Sequence, residues 1–163
     1  MIVPRPLLVL AAVAVVLTGC SGDDAPGDTP ASPTATENVT AKPEFEIPDE
    51  QPPDALQVET LAEGEGDVAE PGDTVTVHYV GKSWSTGEQF DASWDREQPF
   101  VFELGAGNVI PGWEQGIEGM TVGERRMLVI PPDLAYGEQG VPGAIEPGET
   151  LVFVVDLLDV EGP

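Results

Sequence analysis

One cysteine and one histidine are all that 163 residues provide. A lone Cys20 permits no internal disulfide and excludes zinc sites built from several thiolates. A lone His78 argues against His-based metal centres and Ser-His-Asp relays. Positive charge is also scarce: six Lys and Arg stand against 30 Asp and Glu, a formal charge of −24. Nucleic acid and anionic surfaces are therefore not drawn to this chain electrostatically, and no nucleic-acid partner is expected. There is no GxxxxGK[ST] loop, no HExxH pair, no EF-hand loop and no internal repeat. No metal and no cofactor are expected.

The first apolar run, Leu7 to Leu17, is eleven residues of "LLVLAAVAVVL". A bilayer span needs roughly 20. The run fits the h-region of a secretory signal, with Arg5 before it. Leu17-Thr18-Gly19-Cys20 follows and resembles a bacterial lipobox, in which the cysteine carries the lipid and becomes the mature N-terminus. Residues 1–19 are thus expected to be a lipoprotein signal peptide, with Cys20 lipidated and the protein anchored outside the cytoplasm. Residues 20–54 are rich in Pro, Asp, Glu, Ser and Thr. They hold too little apolar surface to offset ordering entropy and are expected to form a disordered tether. Phe45 and Ile47 are the two residues in it that could dock as a marginal strand.

From Ala55 the pattern turns to strands. Leu56, Val58 and Thr60 alternate with polar neighbours, as do Val75, Val77 and Tyr79. Phe100 to Leu104, Met127 to Ile130 and Leu151 to Val160 add three more strand-like runs, separated by Gly- and Pro-containing turns. One stretch reads as helix, Gly112 to Met120, with Trp113 and Ile117 four apart on one face. So short a helix needs a sheet to cover it. The expectation is an α+β domain over 55–163, an antiparallel β-sheet of about five strands curved around one short helix.

The motifs "VHYVG", "FDAS", "PFVFELG", "VIPGWEQGIEGM", "VGERR", "AYG" and "LVFVVDLL" occur in that order. From about Leu56 to Val160 the chain closely resembles the FK506-binding-protein family of peptidyl-prolyl cis-trans isomerases. The resemblance implies an apolar pocket between helix and sheet. It implies catalytic positions at Asp91, Ile110, Trp113 and Tyr136. It implies substrate-binding positions at Tyr79, Phe90, Arg96, Phe100, Phe102, Val109, Ile145 and Phe153. By the same resemblance the Ile110 N–H and Tyr136 hydroxyl donate to substrate carbonyls, and the Trp113 ring is the floor for the substrate proline. Asp91 stays open between two roles. Its carboxylate either stabilises the twisting carbonyl or pairs with Arg96 and Tyr79 to hold the walls. In the late loop, Val141 and Ala144 replace a histidine and an isoleucine of the family prototype, which bears on substrate preference and macrolide affinity.

The implied partners are proline-containing extended polypeptides and FK506- or rapamycin-type macrolides, bound by a monomer. Isomerisation breaks no bond; it crosses a barrier of about 18–20 kcal/mol set by amide resonance. A site without nucleophile, metal or general base suffices. The alternative is a binding module or chaperone of the cell envelope that keeps the fold with little turnover.

Overall fold

A computed structural model describes residues 41–163 and, before them, the backbone of a two-residue strand, β1 (Thr34–Ala35). Cys20 and the expected signal peptide lie outside the described residues. β1 pairs antiparallel with β2 (Phe45–Glu46). The main sheet comprises β3 (Gln57–Ala62), β4 (Thr74–Ser83), β5 (Gln89–Ala92), β6 (Phe100–Glu103), β7 (Arg125–Ile130) and β8 (Leu151–Glu161). Every pairing is antiparallel, in the order β3-β7-β8-β4-β5, with β6 joining β4 beyond the end of β5. The sheet has six strands, one more than the alternation suggests. The extra one, β5, pairs with β4 at only three positions across a register shift, too short a stretch to show a period.

The long strands β4 and β8 form the centre, aligned from Thr74 opposite Glu161 to Ser83 opposite Leu151. In β8 the apolar run is nearly continuous rather than alternating, and both its faces are covered. Leu151, Phe153, Val155 and Leu157 enter one core with Val75, Val77, Trp113 and Ile117. Val152 and Val154 enter a second core on the far side with Val80, Trp84, Met127 and Phe45.

The one α-helix of the described residues, α1 (Pro111–Ile117), covers the first face. Pro111 occupies the first turn, where the missing N–H costs nothing. Gly112 and Gly116 let the helix settle on β7. A Cβ at 112 would lie 2.3 Å from Ile130 Cγ2, and one at 116 would lie 2.6 Å from Leu128 Cδ2. The helix stops three residues before the expected Met120. Glu118 turns extended, and Gly119 takes a left-handed φ of 77°. Met120 then tucks back under the sheet, fully buried.

The tether reading of 20–54 differs from the structure at its end. Phe45 is buried against the outer face of the sheet, with Ile47 packed beside it. Lys82 Nζ donates to the Phe45 carbonyl at 2.5 Å and lies over its ring. Trp84 Nε1 donates to the Glu50 carbonyl at 3.1 Å, Arg125 Nη2 to the Ala41 carbonyl at 2.8 Å, and Lys42 pairs with Asp95. Composition marks this segment as polar, yet one phenylalanine and backbone carbonyls are enough to strap it down.

Candidate active site

β4 places Tyr79 on the helix face and His78 on the other, as the two-residue period of a strand requires. His78 stacks on Trp94 with centroids 4.3 Å apart, and its Nδ1 lies 2.8 Å from Ser93 Oγ. Burial lowers its pKa, against the nearby Asp156 carboxylate. Tyr79 instead borders a cavity of about 180 Å³ lined by Tyr79, Phe90, Asp91, Phe100, Asn108, Val109, Ile110, Trp113, Tyr136 and Phe153. The chain has only ten aromatic residues, and six of them line this one space.

Trp113, 4% exposed, forms the base. Four rings wall it in. Tyr79 and Phe153 stand edge-on at 5.1 and 5.2 Å, Phe100 at 6.0 Å, and Phe102 tilts against it at 5.8 Å. These are the offset and edge geometries that aromatic quadrupoles favour. The indole N–H has no acceptor among the described residues, so packing alone fixes the ring.

The polar groups gather at one side. Tyr79 Oη donates to Asp91 Oδ2 at 2.5 Å. Arg96 pairs with Asp91 through Nη1 and donates to Tyr79 Oη through Nη2 at 2.9 Å. Burial works to raise the Asp91 carboxyl, but the Tyr79 and Arg96 hydrogen bonds outweigh it and hold the group below the usual carboxylate value. Burial raises Tyr79, and so does its bond to Asp91. Burial and the Asp91 charge raise Tyr136. At neutral pH both phenols therefore keep their protons and Asp91 keeps its charge. The Ile110 N–H makes no hydrogen bond among the described residues, while its carbonyl accepts from Trp113 N at 2.9 Å.

All four residues expected to be catalytic, Asp91, Ile110, Trp113 and Tyr136, line the cavity. So do Tyr79, Phe90, Phe100, Val109 and Phe153. Three expected substrate-binding residues do not. Phe102 is buried behind Phe100, stacked on it at 5.5 Å. Ile145 is buried in the main core, and its carbonyl accepts from Val141 N at 2.8 Å. Arg96 sits outside the wall and acts on the cavity through Tyr79 and Asp91. The Arg96 bonds supply the wall-holding role considered for Asp91. Both Asp91 oxygens are engaged, Oδ1 by Arg96 and Oδ2 by Tyr79, and the residue still lines the cavity. Asn108 is the lining residue that motif reading omits. Its only sequence signal is its place directly before Val109.

The loop that carries Asn108 to Ile110 is held from the helix. Glu114 accepts the Gly105 N–H at one oxygen and the Gly107 N–H, at 2.9 Å, at the other. Both glycines have left-handed φ, 83° and 72°. Removing the carboxylate leaves two N–H groups without their partner. Glu114→Ala is expected to lower kcat/KM about three- to tenfold, on the scale of one or two hydrogen bonds, with Glu114→Gln in between. Steady-state isomerisation kinetics on the three proteins check this.

The fold and the cavity define a class: an apolar peptide-binding site with a few oriented polar groups and no nucleophile–base pair, suited to turning a bond rather than breaking one. Residues 66–158 match the model of the FKBP-type peptidyl-prolyl cis-trans isomerase family. An FK506-binding protein of Streptomyces anulatus is 57% identical over 120 residues, 73% of this chain and 97% of that protein. Peptidyl-prolyl cis-trans isomerase FPR2 of Saccharomyces cerevisiae is 57% identical over 93 residues, 57% of this chain and 69% of the yeast protein. Among solved structures, AtFKBP13 superposes with a TM-score of 0.61 at 36% identity, covering 66% of this chain and 94% of the other. FkpA from Escherichia coli gives 0.60 at 44% identity over 66% of this chain, which spans 48% of FkpA. The chain belongs to the FKBP-type peptidyl-prolyl cis-trans isomerase family, and its activity is cis–trans isomerisation of Xaa–Pro bonds.

Proposed function

We propose that this isomerase works on exported chains outside the cytoplasm, held at a membrane by lipid on Cys20 and acting as a monomer. The planar amide is more dipolar than the twisted one, and water stabilises the planar form. A cavity floored by Trp113 and walled by Tyr79, Phe100 and Phe153 replaces that water and so favours the twisted state. The unpartnered Ile110 N–H carries the reading: a donor free at the mouth of an apolar cavity is what a substrate carbonyl requires. Tyr136 supplies a second donor, and Asp91 faces the carbonyl that loses conjugation. FK506-type macrolides bind in the same cavity and compete with substrate.

Asp91 sets the acid limit. Its folded pKa lies below the unfolded value, so the charged form is favoured in the native site, and that preference is lost only as pH falls through the folded value. Activity is expected to be flat from about pH 5 to 8 and to fall below about pH 4. A pH–rate profile of kcat/KM tests this; a midpoint near neutrality would contradict it.

Location rests on Leu7–Leu17 and on Cys20 at the lipobox-like position. The full chain, expressed in a bacterium with lipoprotein processing, is expected in the membrane fraction, and Cys20→Ala in the soluble extracytoplasmic fraction. Equal partitioning of the two removes the anchor from the account.

A further inference from the structure

We propose that the outer edge of β6 is a second docking element for the substrate polypeptide, along which residues flanking the Xaa–Pro pair add as a strand. The inference rests on the isomerase reading and deepens it. β6 pairs with β4 alone, Phe100 opposite Val77 through Glu103 opposite Thr74. Leu104 N donates to the Asp73 carbonyl at 2.9 Å, which fixes the phase of the ladder. By the alternation of an antiparallel pair, Phe102 and Phe100 spend their backbone groups on β4. The N–H and C=O of Val101 and Glu103 then face outward, and no other strand of the described residues takes them.

This edge carries no lysine and no inward charge, and no strand of the described residues covers it. Natural sheets protect an open edge with lysine, an inward charge or a covering segment. β6 reads Phe-Val-Phe-Glu, with Val101 55% and Phe100 37% exposed. It is an apolar edge on a protein whose surface is otherwise acidic. The edge also continues the active site. A groove of about 300 Å³ lined by Arg96, Gln98, Pro99, Phe100 and Val101 shares Phe100 with the main cavity. A chain whose proline rests on Trp113 and which passes the Phe100 ring arrives at Val101.

Main-chain pairing reads no sequence, which suits an enzyme that handles many chains, while Pro99 and Val101 favour apolar side chains beside them. Exposed Glu97 and Glu103 lie to either side and disfavour acidic flanks. The occupant is thus an extended segment with apolar or basic residues near its proline.

The test compares, on the full chain, a blocked four-residue Xaa–Pro peptide with two longer ones, extended by Val- and Thr-rich flanks on the N- or the C-terminal side. Wild type is expected to show higher kcat/KM for at least one longer peptide. Val101→Pro deletes one outward N–H and is expected to lower the long-to-short ratio about fivefold, the worth of one hydrogen bond. Val101→Lys keeps the N–H but guards the edge with charge, and lowers the same ratio should the proline variant fail to fold. Equal efficiencies for short and long peptides in wild type, or a ratio that neither variant moves, overturns the proposal while leaving the isomerase intact. Failure to isomerise even the short peptide overturns the isomerase reading instead. A wild-type dimer in sedimentation that Val101→Pro dissolves assigns the edge to a second copy and also overturns the proposal.

Discussion

Trp113→Leu is expected to lower kcat/KM for an Xaa–Pro peptide by about 10- to 100-fold, because the floor of the cavity supplies the buried apolar contact of an aromatic side chain, about 1.5–3 kcal/mol. The residue has a double duty, and the measurement must separate the halves. Its ring touches Tyr79, Phe100, Phe102 and Phe153, so the variant also loses stability. Ile117→Val provides the comparison. Ile117 lies one turn further along α1, fully buried, and borders no part of the cavity. It is expected to lower Tm while leaving kcat/KM near wild type. Activity that follows Tm equally in both variants would make Trp113 a core residue and nothing more.

The largest loss of stability is expected on the opposite face. Arg125 and Asp156 lie across from each other on β7 and β8, both essentially inaccessible. Their contact is two-pronged, Nε to Oδ1 at 2.5 Å and Nη2 to Oδ2 at 2.8 Å. Asp156→Ala removes the two-pronged carboxylate partner of a buried guanidinium and is expected to cost about 3–5 kcal/mol. That corresponds to a fall in Tm of about 10–20 °C for a domain of this size. Arg125→Met combined with Asp156→Leu removes both charges together and is expected to recover most of the loss, as apolar replacements of buried pairs often do. Calorimetry on the three proteins decides it. A single-variant loss below about 1 kcal/mol would mean that water reaches the pair.

Most of the site is legible before any coordinate because its residues stand in motifs that resemble those of the family. Trp113, Tyr79, Phe90, Phe100, Tyr136 and Phe153 stand in short motifs, and all six line the cavity. What motifs do not convey is which side of a wall a residue occupies. Phe100 and Phe102 share a face of β6, yet the nearer ring screens the farther one, and Phe102 is left as support. Ile145 is a similar case: the tight Val141–Ile145 turn folds it inward to the core. Asn108 is exposed, polar and in a glycine-containing loop, with nothing local to mark it.

The fold shows the same division. The nearly continuous apolar run of β8 reads as a long strand, but does not tell what covers its second face. The cover is Phe45, inside a segment whose composition reads as a tether. Docking there depends on Lys82, Trp84 and Arg125, which lie between 34 and 84 residues from their partners in sequence. No window of local composition contains that information. β5 was hidden for a different reason: three paired positions and a bulge leave no period to read.

The central claim is that this cavity turns prolyl bonds. The direct measurement is the cis-to-trans relaxation of a short Xaa–Pro peptide, followed with the full chain present and with an FK506-type macrolide added. The account predicts relaxation faster than the unaided tens to hundreds of seconds, in proportion to protein concentration, and returned to the unaided rate by the macrolide. Relaxation that no concentration of the protein accelerates would contradict it.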